Sequence, residues 1–157
     1  MRVRSRRRRR HLFPLEWSEF FTQELGGSLF QPLADGKVTK EDDFVIAFCE
    51  DILSRAPEHV EALALLGEAY TARGDYQKGL EADLLLSHLK PESGTVHYNL
   101  ACSFALTGRK DEALVALQRA LTSGYSDWEH LRNDSDLASL RDDPRYQALL
   151  SDWGGRD

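Results

Sequence analysis

Apolar residues recur at intervals of three and four along most of this chain, the spacing that places them on one face of a helix. Leu15, Trp17, Phe20, Phe21 and Leu25 form the first such face. Pro14 suits a first helical turn and Gly26-Gly27 suits its end, so the pattern predicts a helix over 14–25. The stretch that follows contains Pro32 and Asp35-Gly36 and reads as a long non-helical connection. It also carries Leu29, Phe30, Leu33 and Val38, too much apolar surface to leave in water, and is expected to pack on the first helix and the early repeat. Thr39 can cap a helix over 40–55 whose Phe44, Val45, Phe48, Cys49, Ile52 and Leu53 would face inward, before Pro57 stops it. Further helices are predicted at 59–73, 76–89, 94–107 and 110–122, then short helices toward the end, with no sheet.

From residue 57 the chain repeats at a spacing of 34. Pro57 returns as Pro91, Leu66 as Leu100, Gly67 as Ala101, Tyr70 as Phe104, Gly74 as Gly108 and Leu80 as Leu114. Each unit holds two helical patterns split by a glycine-centred turn, which is the signature of stacked helical hairpins. The implied fold class is all-α, built of antiparallel hairpins. Small residues at 67, 79, 101 and 113 let backbones approach, while Tyr70 and Phe104 fill the space between units.

At these residues the chain resembles the tetratricopeptide repeat (TPR) family. Units 60–93 and 94–127 match whole, through Leu66, Gly67, Tyr70, Gly79 and Pro91 in the first and Leu100, Ala101, Phe104, Ala113 and Ala120 in the second. Residues 40–57 look like the second half of an earlier unit. The resemblance implies a short right-handed solenoid with an N-terminal helix and a C-terminal helical cap. The segments are then an Arg-rich tail at 1–11, expected to be disordered, an N-terminal helix and connection at 12–39, repeats at 40–127, and the cap at 128–157. The chain departs from the family pattern where Leu63 and His97 hold its tryptophan position, Asp83 and Leu117 its second-helix aromatic position, and Tyr125 its closing proline. Asp83 and His97 are expected near the junction of the two units, as a polar pair or with Asp83 turned out to water.

The concave face of the family is lined by first-helix positions, which map here onto Glu61, Ala64, Glu68 and Thr71, then Thr95, Tyr98, Cys102 and Ala105. Asn99 matches an asparagine that peptide-clamping members use. Tyr98 is the expected aromatic anchor, or else packs on a neighbouring helix or the N-terminal segment, and Glu61 with Glu68 would select a cationic residue on the ligand. The implied function is non-catalytic: an adaptor or scaffold binding a peptide or helix of a partner protein that is apolar with some positive charge.

Charge divides the chain sharply. Seven of its twenty basic residues are Arg2, Arg4 and Arg6 to Arg10, whereas all 26 acidic residues come later, leaving residues 11–157 at a net −13. The arginines admit contact with phosphates of a nucleic acid or an anionic surface, or an unstructured tail or overextended gene start. A homo-oligomerisation unit is a further alternative to the adaptor reading. No apolar run reaches the roughly 18 to 20 residues that span a bilayer. Cys49 and Cys102 lie in apolar helical patterns without a Cys-x-x-Cys pair, which reads as two buried reduced thiols and a cytoplasmic setting.

Motifs for chemistry are missing from the pattern. No Gly-rich phosphate loop, His-Glu-x-x-His or nucleophile elbow occurs. Asn133, Asp134, Ser135 and Asp136 suggest a calcium loop, but a loop starting at Asp134 would place Ser139 where glycine is needed and Arg145 where a glutamate is needed, so helix capping is the better account. No catalytic residue, cofactor or metal is expected.

Overall fold

A computed structural model of the chain describes residues 40–153. The expectations for the tail at 1–11, the helix at 14–25 and the connection at 26–39 lie outside the described residues. Within them the chain forms helices α1 (Lys40–Arg55), α2 (Val60–Arg73), α3 (Tyr76–Leu89), α4 (Gly94–Leu106), α5 (Lys110–Thr122), α6 (Trp128–Asn133) and α7 (Pro144–Trp153), with a 3-10 turn at Ser135–Leu140 between the last two. No strand occurs among the described residues. The five helices from α1 to α5 fall within a residue of the spans expected from periodicity, and each packs against its sequence neighbour.

The 34-residue period extends to individual backbone hydrogen bonds. Gly74, at φ 90°, donates to the carbonyl of Thr71, and Asp75 reaches back to Tyr70. One period on, Gly108, at φ 79°, donates to Ala105, and Arg109 reaches back to Phe104. A left-handed residue must close each helix for this double bond to form, and only glycine adopts that backbone without strain. The turns between units repeat as well. Ala56 donates to Ile52 where Lys90 donates to Leu86, and the helix starts are capped by the side chains of His59 and Ser93.

Close approach inside the first hairpin depends on small residues. A Cβ on Gly67 would lie 3.0 Å from Asp83 Oδ1, and one on Gly79 would lie 2.8 Å from Thr71 Oγ1 and 3.3 Å from the Gly67 carbonyl oxygen. The equivalent Ala101 and Ala113 are fully buried. A third close approach lies at Gly94, where a Cβ would meet the Tyr125 amide at 2.7 Å and the Ser123 carbonyl at 2.9 Å.

The core divides into three clusters along the chain. Ile46 and Cys49 of α1 pack with Ala62, Leu66, Ala69 and Tyr70 of α2. Leu63, Leu86 and Val96 join the two units. The largest cluster runs from Leu80 through α4 and α5 to Leu131, Leu137, Leu140 and Tyr146, so the C-terminal cap shares the core of the second unit. Asp83 and His97 are both buried at the unit junction, contrary to the reading that exposes Asp83. Ser103 donates to the Asp83 carboxylate, and the His97 Nε2 is hydrogen-bonded to the Pro91 carbonyl at 2.7 Å.

Two residues expected to face inward do not. Phe44 and Phe48 on α1 are 53% and 44% exposed, while the neighbouring Ile46 and Cys49 take the inward face. Residue 46 falls on the same register as the buried Leu80 and Leu114 and residue 44 on that of the exposed Lys78 and Glu112, so the repeat matches the orientation of both, whereas Phe48, on the register of the buried Ala82 and Ala116, is exposed.

Candidate partner-binding groove

The residues expected to line one groove divide into an open half and a covered half. Glu61 and Thr95 are exposed, and Ala64 and Glu68 are half-buried. Glu61 lies on the first turn of α2, its Oε2 3.3 Å from Nδ1 of His59. Thr71 is buried, and its hydroxyl oxygen points at Gly79 within the hairpin, so it belongs to the α2–α3 contact and not to an open face. Tyr98, Asn99, Cys102 and Ala105 are also buried. As surfaces for a partner these five assignments are corrected by the packing.

What covers the second half is the chain's own C-terminal segment. Tyr98 is 2% exposed: its ring stacks on that of Tyr125 at a centroid distance of 4.1 Å and an interplanar angle of 4°, and its hydroxyl donates to Asp134 Oδ2 at 2.7 Å. The Cys102 thiol lies 3.6 Å from the same oxygen, and Ser139 Oγ donates to the Ala105 carbonyl at 3.4 Å. Leu137 and Leu140 insert beside them with no exposed surface. Tyr98 therefore packs inside this chain, with its principal contacts in the C-terminal segment; the N-terminal segment lies outside the described residues.

Asp134 is the hub of that contact. Its Oδ1 accepts the Asp136 amide at 2.9 Å and so starts the 3-10 turn, as the capping reading of this stretch requires, while its other oxygen holds Tyr98. The His130 ring tilts toward Tyr98 at 5.6 Å, with Nε2 3.5 Å from Asp134 Oδ2. Arg141 donates to the Asp134 carbonyl at 3.2 Å, closing the loop from behind. Burial, then the neighbouring Cys102 and Asp134, raise the Tyr98 phenol well above its ordinary value, so it stays a protonated donor. In the sequence Tyr125 stands out as a departure from the repeat pattern and Asp134 as a cap, but that the two meet on Tyr98 is not legible there, because no local period links residues 27 and 36 positions apart.

No protein-family model and no solved structure matches the chain. Over 90 residues, 55% of its length, the chain is 34% identical to a curated chloroplastic protein of Arabidopsis thaliana. The chain spans 27% of the length of that relative.

The chemistry available on the open half is ionic and steric. Both thiols are buried, and burial followed by the adjacent Glu50 raises Cys49 to about 11, which keeps it protonated and poorly nucleophilic. Among the described residues no group of three or more His, Cys, Asp or Glu side chains could hold a metal ion, and no helix is long and apolar enough to cross a membrane.

Proposed function

We propose that this chain is a non-catalytic protein-interaction module of the tetratricopeptide type, a short right-handed stack of hairpins that receives a segment of another polypeptide. The recurrence of the same turn hydrogen bonds at Gly74 and Gly108, 34 residues apart, carries the reading. A stack built from such units offers first-helix positions to a ligand wherever its own cap does not cover them. That limits the partner surface to Glu61, Ala64, Glu68 and Thr95. Two carboxylates about 10 Å apart along α2, seven residues at 1.5 Å each, favour a ligand carrying a cationic side chain beside an apolar one. The cytoplasmic setting read from two reduced thiols belongs to the same proposal.

The test starts from a partner captured by pull-down and identified by mass spectrometry. Its affinity for the parent is then compared with that for Glu61→Lys/Glu68→Lys, with folding followed by circular dichroism. Charge reversal at two sites should weaken binding by about tenfold or more and leave the helical signal unchanged. Equal affinity for both proteins refutes the open-half groove. Binding that instead disappears on deletion of residues 1–10, with a steep salt dependence, would assign the activity to Arg6 to Arg10 and an anionic partner.

A further inference from the structure

The outward face of α1 carries two of the four large apolar side chains that are exposed among the described residues. Phe44 and Phe48 stand one helical turn apart, rings stacked at 6.1 Å and 12°, with the exposed Ala47 beside them. The other exposed large apolar side chains, Leu85 on α3 and Val115 on α5, belong to separate helices. Two adjacent phenylalanines left in water forgo the gain of burying their apolar surface.

The repeat register says what is missing there. Position 48 corresponds to 82 and 116, and Ala82 and Ala116 are each only 6% exposed. Ala82 lies against the preceding helix, its Cβ 3.6 Å from where a Cβ on Gly67 would be. Phe48 therefore stands at the position where a second helix of a hairpin meets its first helix. Position 44 corresponds to Lys78 and Glu112, charged and exposed in both complete hairpins, yet it is a phenylalanine here.

We infer that the outward face of α1 is the docking surface for residues 14–25 of this same chain, with Trp17, Phe20 and Phe21 covering Phe44 and Phe48. Thirty-nine residues precede Lys40, and among them this segment carries the helical apolar face. The fourteen residues at 26–39 reach about 45 Å when extended, whereas α1 is about 24 Å long, so the segment can return along α1 in either direction. The large rings at 44 and 48, in place of the charged residues and alanines of the complete hairpins, fit a partner helix held farther off by bulky side chains of its own. The docking is independent of the partner groove, which lies on α2.

Hydrogen exchange read by mass spectrometry on the full chain tests this. In the parent, amides of 14–25 should exchange at least about tenfold more slowly than an unstructured peptide. Phe44→Ser/Phe48→Ser should abolish that protection while leaving 60–153 unchanged, since neither side chain belongs to a core cluster with the later helices. Phe20→Ser/Phe21→Ser should do the same from the other side. Unprotected amides at 14–25 in the parent, or protection that survives both double variants, overturns the inference. Protection that appears only at concentrations where light scattering reports a dimer also overturns it, because the occupant is then a second copy.

Discussion

Replacing Asp134 by alanine should loosen the C-terminal cap from the second unit. Asp134 Oδ2 accepts the Tyr98 hydroxyl at 2.7 Å, and Tyr98 is almost wholly buried, so removing the carboxylate leaves a phenol without an acceptor. A hydrogen bond to a charged group contributes about 1.5 to 3 kcal/mol. The lost Asp136 amide contact adds about 1 kcal/mol, the usual worth of a helix-starting cap. Asp134→Ala should therefore cost about 2.5 to 4 kcal/mol, measured as a lower urea midpoint at unchanged slope. Tyr98→Phe removes only the shared bond and should cost about 1 to 2 kcal/mol, because Asp134 keeps the Asp136 amide and lies near His130. In the double-mutant cycle the coupling energy should be about 1 to 2 kcal/mol. A coupling within about 0.5 kcal/mol of zero would mean that the two groups do not support each other and that the cap is held by Leu137 and Leu140 alone.

Other consequences are checkable in the same preparations. Gly94→Ala should destabilise the protein by about 1 to 3 kcal/mol in urea melts, because its Cβ would press on the backbone at Tyr125 and Ser123. A loss below about 0.5 kcal/mol would show that this contact relaxes freely. Cys49, buried and raised to about 11, should resist a thiol reagent at pH 8 until the protein is unfolded by denaturant, and labelling at the rate of a free thiol would contradict its burial. Asp143 accepts from the Arg145 guanidinium and amide, which hold its carboxyl down to about 2. The folded state thus binds this proton less tightly than the unfolded chain does, so the contribution is complete above the ordinary value of 3.8 and is lost as the pH falls toward 2. The difference in melting temperature between the parent and Asp143→Asn should be full at pH 6 and shrink from about pH 4 to pH 2, and a gap that persists at pH 2 would refute the pairing.

The helical hairpins from 40 to 122 were legible in the sequence because each signal that builds them is local. Apolar spacing of three and four, a glycine just past a helix end and a proline between units act within a few residues and recur with the period. Close packing at Gly67 and Gly79 was readable for the same reason, since the register puts both on facing helices. What the sequence by itself could not determine was which face of α1 turns inward and what lies over Tyr98. Phe44 and Phe48 look inward by hydropathy alone, but the packing seats Ile46 and Cys49 against α2 and leaves both rings exposed, Phe48 even though its register partners Ala82 and Ala116 are buried. Tyr98, an exposed groove position by family pattern, is covered because Asp134, Tyr125 and Ser139 converge on α4 from a segment with no periodic relation to it. Such contacts between positions 27 to 36 residues apart arise only when the cap folds back, which is a property of the tertiary packing and not of any stretch of sequence.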